Sequence, residues 1–350
     1  MLDFAAMRAT LAEAYDLAPS MALAEEMRDI HAKMDRVVPL VDFARYAPYI
    51  RAINRLKAEK NAVILAHNYM TPEIYHGVAD VVGDSLQLAI EATKVEAETI
   101  VQCGVHFMAE TSKILNPAKR VLIPDMAAGC SLAESITAEG IASMRAQYPG
   151  APVVSYVNTT AEVKAASDIC CTSSNAAQIV AAMDSDVVIM TPDQYLAQNV
   201  AKQVPQKKVV WWAGSCIVHE QYTAEDITEF RKWNPDTRVI AHPECPPSVV
   251  SVSDFSGSTS GIIDYVEREK PQKAMLVTEC SMASNIADAL PEVDFVGPCN
   301  MCPYMKKITL EKILWSLHSG QSEVFVDPEI AAKARIAVER MIELSRKIAK

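Results

Sequence analysis

Short apolar runs rich in Val and Ile recur along this chain, with longer stretches of helical period between them. They fall into three groups of three. The first group is AVILAHNY from Ala62, TIVQC from Thr99 and RVLIP from Arg120. The second is PVVSYVN from Pro152, DVVIM from Asp186 and KVVWW from Lys208. The third is RVIAHPE from Arg238, AMLVT from Ala274 and VDFVG from Val293. Continuous apolar runs of this length, alternating with helices, read as parallel strands buried on both faces. The opening run of each group ends in polar residues: His67 and Tyr69, Tyr156 and Asn158, His242 and Glu244.

Other features keep the same step, which makes the grouping an internal repeat of a whole supersecondary unit. Cys130, Cys216 and Cys302 stand 86 residues apart, and each is followed seven positions later by a T-x-E triplet. The threonines, Thr137, Thr223 and Thr309, are expected to cap helices, with the glutamate in the first turn. Asp80, Asp168 and Asp254 repeat at nearly the same interval, each ahead of a hydroxyl cluster that contains Ser85, Ser173, or Ser258 and Thr259. The expected fold is α/β: three homologous three-layer α/β/α domains with small parallel sheets around a pseudo-threefold axis, and an active site at the centre. The expected boundaries are a helical extension over 1–50, repeats over 51–131, 132–217 and 218–303, and a C-terminal helical segment over 304–350.

Composition narrows the partners. A net charge of -11 without a basic stripe argues against nucleic acid. No stretch approaches the ~20 apolar residues of a membrane span, and the N-terminus lacks a signal pattern; a cytoplasmic protein is expected. Nine cysteines in a reducing compartment are then not expected to form disulfides. Cys103, Cys170, Cys171, Cys245 and Cys280 read as small buried apolar residues.

The three repeated cysteines call for another explanation. Ligands this far apart do not suit a zinc finger, whose ligands come in local pairs. Ends of parallel strands gather ligands on one side of a sheet, so three copies would bring one thiolate each to a common point. Three thiolates suit a [4Fe–4S] cluster with one open iron, able to act as a Lewis acid in dehydration. The hydroxyls of Ser85, Ser173, Ser258 and Thr259 lie where loops enter helices; they suit anion binding, although ordinary helix capping explains each of them singly. Glu244 reads either as a site acid or as an exposed turn acid.

The segments AHNYMTPEI, GDSLQLA, FMAETSKIL, CSLA, SYVNTTAEVKA, CTSSNA, GSCIVHE, HPECP, GSTSG and CPYM, in order from about residue 61 to 315, resemble the quinolinate synthase family. The resemblance implies three α/β domains around one site and a [4Fe–4S] cluster on Cys130, Cys216 and Cys302. It implies condensation of iminoaspartate with dihydroxyacetone phosphate to quinolinate, phosphate and two waters, in de novo NAD biosynthesis. L-aspartate oxidase, with which a transient contact is expected, or in some relatives a dehydrogenase, would supply the iminoaspartate. On this reading Glu244 is the candidate general base, assisted by Tyr69 and His242, and neutral His67 or His242 donates to a developing oxyanion. Ser85, His67, Tyr156, Asn158 and Ser173 would hold a dicarboxylate, and Ser258, Thr259 and His242 a phosphate or second carboxylate. Cys299, in CNMC, is a spectator or pairs with Cys302 on oxidation. The competing readings are an aconitase-like hydro-lyase and a non-catalytic iron–sulfur sensor.

Overall fold

The computed structural model describes residues 4–348. Three parallel sheets of four strands each form the framework. The first comprises β1 (Ala62–His67), β2 (Val81–Gly83), β3 (Thr99–Cys103) and β4 (Arg120–Leu122). The second comprises β5 (Val153–Tyr156), β6 (Ile169–Cys171), β7 (Val187–Thr191) and β8 (Lys208–Trp211). The third comprises β9 (Thr237–Ala241), β10 (Phe255–Ser256), β11 (Lys273–Val277) and β12 (Asp294–Phe295). All three share one spatial order, with the opening strand second in line: β2-β1-β3-β4, β6-β5-β7-β8, β10-β9-β11-β12. The nine apolar runs are nine of these strands. The other three, β2, β6 and β10, are edge strands of two or three residues, too short to carry a periodicity of their own.

The repeated aspartates have an architectural role. Asp80 accepts the backbone N–H of Ile64 at 2.8 Å and the ammonium of Lys57 at 2.7 Å. Asp168 does the same for Val153 (2.7 Å) and Arg145 (2.8 Å), and Asp254 for Val239 (2.7 Å) and Arg231 (2.6 Å). Each aspartate thus ties an opening strand to the helix before it. The T-x-E threonines are N-caps: Thr137, Thr223 and Thr309 accept from Gly140, Asp226 and Lys312.

Helices Ala138–Gln147 and Ala224–Trp233 each lead into the next sheet's opening strand. The third copy, Leu310–Ser319, has no fourth sheet ahead of it. It returns to the first, packing against β3 and the helix Leu40–Glu59 and burying Ile313, Leu314 and Leu317. Residues beyond it also fold back instead of finishing the third unit. Val324 donates to the carbonyl of Val121 at 2.8 Å, alongside β4. The last helix, Pro328–Ile348, lies on the second unit, with Asn175 donating to Ser345 and Arg340 to the carbonyl of Asp168. At the other end, Leu40–Glu59 runs without interruption through residue 50. No helix among the described residues is long and apolar enough to cross a membrane.

Candidate functional site

The C-terminal ends of the strands converge on one cavity. The ends of the opening strands and the turns directly after them supply His67 and Tyr69 at β1, Tyr156 and Asn158 at β5, and His242 and Glu244 at β9. The loops after the edge strands supply Ser85, Ser173 and Thr259, and the loops after β4, β8 and β12 supply Cys130, Cys216 and Cys302. Of the residues expected at the site, Ser258 alone is not in this lining. Its hydroxyl caps the helix Thr259–Glu269 and faces a neighbouring cleft.

The three cysteines occupy matching surroundings. Each carbonyl accepts the N–H four residues on: Glu134 to Cys130 at 2.9 Å, Glu220 to Cys216 at 3.0 Å, Lys306 to Cys302 at 3.1 Å. Each cysteine therefore opens a helical turn, and its sulfur faces the N–H groups of the residues two and three positions on. Those donors favour a thiolate, but burial outweighs them and pushes the Cys130 thiol up to about 12 and the other two upward. Cys103, Cys170, Cys171 and Cys245 are buried elsewhere, as their reading as apolar residues requires.

Cys280 and Cys299 depart from expectation. They are joined in a disulfide with a Cα–Cα separation of 4.9 Å, while Cys302 is free. The pairing of Cys299 with Cys302 is thereby overturned, as is the reading of Cys280 as a small buried apolar residue, since it is half-buried and disulfide-bonded. The N–H of Cys280 donates to the carbonyl of Asn300, the residue after Cys299, at 3.2 Å.

His67 and His242 are set in one way. The Nδ1 atom of each accepts the backbone N–H two residues on, from Tyr69 at 3.2 Å and Glu244 at 3.3 Å. Burial lowers their pKa to about 4 and about 3, so both rings are neutral near pH 7. With Nδ1 accepting, the proton is on Nε2. The 3.9 Å approach of His242 to the Glu244 carboxylate is therefore not an ion pair.

Glu244 is 4% exposed, not a solvated turn acid. Tyr156 donates to its Oε1 at 2.5 Å and His219 Nδ1 lies 2.9 Å from its Oε2. Burial alone would raise this carboxyl, but the hydrogen bonds it accepts from His219 and Tyr156 favour its charged form and lower it below the usual carboxylate range. From His219 the network continues through Nε2 to Thr278 Oγ1 at 2.9 Å and on to the Tyr69 hydroxyl at 2.5 Å. Asn158 contributes a buried Oδ1 with no partner among the described residues.

His219 is the functional residue that sequence reasoning missed. It is 1% exposed, stacks on His242 at 4.6 Å, and its Nδ1 lies 3.1 Å from the Cys216 sulfur. The available signal was its place three residues after Cys216, one helical turn on. Cys216, His219 and Glu244 bring their ligand atoms within 4.8 Å of one another, a mixed set able to hold a single ion. The donor chemistry of the larger cavity fits an iron–sulfur cluster better, because all three repeated sulfurs are free and face backbone N–H groups in the same way.

Residues 51–343 match the family described as Quinolinate synthetase A protein. Curated relatives include the quinolinate synthase of Sinorhizobium fredii, 58% identical over 98% of this chain and 95% of that one. That of Agrobacterium fabrum is 57% identical over 90% of this chain and 91% of its own. That of Xylella fastidiosa is 58% identical over 84% of this chain and 87% of its own. With three repeated cysteines gathered at one cavity and likeness of this extent along the chain, the protein belongs to the quinolinate synthase family of enzymes.

Proposed function

We propose that the enzyme condenses iminoaspartate with dihydroxyacetone phosphate, releasing quinolinate, phosphate and two waters, as a step of de novo NAD biosynthesis. One observation carries this reading: sulfurs from three equivalent loops line the same cavity as His67, Tyr156 and Glu244. On this reading Cys130, Cys216 and Cys302 hold a [4Fe–4S] cluster. When bound, such a cluster supplies a Lewis acid at the iron that no cysteine holds, suited to promoting loss of hydroxyl as water.

The remaining steps fall to side chains. The Nε2–H groups of His67 and His242 donate to a carbonyl or carboxylate oxygen of the bound substrate and stabilise negative charge as it develops. Hydroxyls of Ser85, Ser173 and Thr259 and the amide nitrogen of Asn158 hold carboxylate or phosphate oxygens, and the unpartnered Asn158 Oδ1 is free to accept from an N–H or hydroxyl of a ligand. A carboxylate held as low as that of Glu244 is a weak base on its own. Its charge is shared with His219 and Tyr156, so proton transfer belongs to these three groups together, with Thr278 and Tyr69 extending the route. An L-aspartate oxidase would supply the short-lived imine.

The deciding experiment is anaerobic incubation of cluster-reconstituted protein with freshly generated iminoaspartate and dihydroxyacetone phosphate. Quinolinate identified by mass, with one phosphate per quinolinate, is expected. Turnover of a hydroxy acid alone would replace this reading with a hydro-lyase. Stoichiometric zinc without sulfide in the purified protein would end the cluster assignment.

A further inference from the structure

Two asparagines grip the turns that carry Tyr69 and Glu244, and each reaches over from a different unit. Asn199 lies on the helix Gln194–Gln203, which follows β7 of the second sheet. Its amide nitrogen donates to the carbonyls of Pro243 at 2.9 Å and Cys245 at 3.0 Å, the two residues flanking Glu244. Asn285 lies on the helix Ser281–Ile286, which follows β11 of the third sheet. Its amide nitrogen donates to the carbonyls of Asn68 at 2.9 Å and Met70 at 2.8 Å, the two residues flanking Tyr69. The two asparagines stand 86 residues apart, the same step as the cysteines.

The chemistry of the grip is specific. A primary amide offers two N–H groups from one nitrogen, and both are used here. In exchange, Oδ1 of each asparagine is buried without a partner among the described residues. A buried unpartnered oxygen is unfavourable, so what these side chains contribute lies in the nitrogen. The third joint is built differently. Thr111 takes the corresponding place on the helix His106–Leu115, but its hydroxyl donates to the carbonyl of Phe107 in its own helix at 2.8 Å. After Asn158 the chain is held by other groups: the fully buried Lys164 of the same unit donates to the carbonyl of Thr159, and Glu110 on the helix His106–Leu115 accepts the N–H of Ala161 at 3.2 Å.

We propose that Asn199 and Asn285 are positioning residues, each fixing one reacting side chain of the cavity by bracketing its flanking carbonyls from a neighbouring unit. The proposal rests on the reading of Glu244 and Tyr69 as members of the reacting network. Such a clamp acts on orientation, where a displacement of about 1 Å costs on the order of a hundredfold in rate.

The test compares Asn199→Ala, Asn199→Asp, Asn285→Ala and Asn285→Asp with Thr111→Val. It measures kcat, KM, iron content, and amide hydrogen exchange over residues 67–71 and 242–246. The Ala variants are expected to lose about a hundredfold in kcat, with iron content unchanged and KM shifted less than about threefold. The Asp variants, isosteric but without a donor to offer, are expected to lose more. Faster exchange is expected at the turn each residue grips and not at the other, while Thr111→Val stays within about twofold of wild type in kcat. Asp variants with wild-type kcat and wild-type exchange would show that these side chains only fill space and would overturn the proposal. If an Asp variant does not fold, the exchange rates of the Ala variant decide. Exchange is read without substrate, so a wild type that makes no quinolinate would defeat the proposed reaction and leave the clamp to be judged on its own.

Discussion

At the scale of single residues, the site is a set of side chains whose charge states are set by burial and by close neighbours. Glu244→Gln keeps the shape and loses the charge that orients His219 and Tyr156. The variant is expected to retain its iron and to lose about a hundredfold or more in kcat, checked by iron assay and initial rates. His67 gives a pH dependence whose sign follows from its environment. The folded ring protonates only near pH 4, whereas an unfolded histidine takes up its proton near 6.5. Between those values the unfolded chain binds the extra proton, so stability falls as pH drops through this window. At pH 5 the loss from this one ring is about 2 kcal/mol relative to pH 7. Urea denaturation of wild type and His67→Asn at both pH values should show a difference smaller by about that amount in the variant, the remainder coming from groups such as the equally buried His242. Most of these residues were legible as polar ends of apolar runs. His219 was not, because a histidine one turn after a cysteine looks the same in a sequence whether it faces solvent or a carboxylate. Asn199 and Asn285 were hidden for a similar reason, since an amide within a helix reads as ordinary surface.

At the scale of elements, the repeated aspartate is the joint between helix and sheet. Asp254→Ala removes the acceptor for Val239 N–H and for Arg231 together. It is expected to cost about 2 kcal/mol of stability, the range for hydrogen bonds to a charged group, seen as a lowered urea midpoint with quinolinate synthesis retained at low temperature. The long strands, the capped helices and the last helix could all be read from the chain, because apolar periodicity and N-cap chemistry are local properties. The edge strands β2, β6 and β10 could not. They are strands only because a neighbour offers its edge, and that is a property of the assembled sheet. The Cys280–Cys299 disulfide escaped for the same reason: it depends on two segments that meet only in the assembled unit, where Cys280 donates to the carbonyl of Asn300.

At the scale of the whole molecule, the three units form one functional body, because none of them holds a complete site. Cys130→Ala, Cys216→Ala and Cys302→Ala should each abolish the visible absorption of the reconstituted protein. Cys103→Ala, at a buried position in β3 of the first sheet, should leave it intact; equal loss in all four would discredit the assignment. The 86-residue step made the convergence of the sulfurs predictable, whereas the return of the C-terminal segment to the first and second units carried no such signal. The return of the helix Leu310–Ser319 to the first sheet has a wider meaning. Three separate copies of one module, joined head to tail, would close in the same way and build a site with three identical walls. In a single polypeptide each wall can differ, and here they do, with His67 and Tyr69 on one side, Tyr156 and Asn158 on the next and His242 and Glu244 on the third.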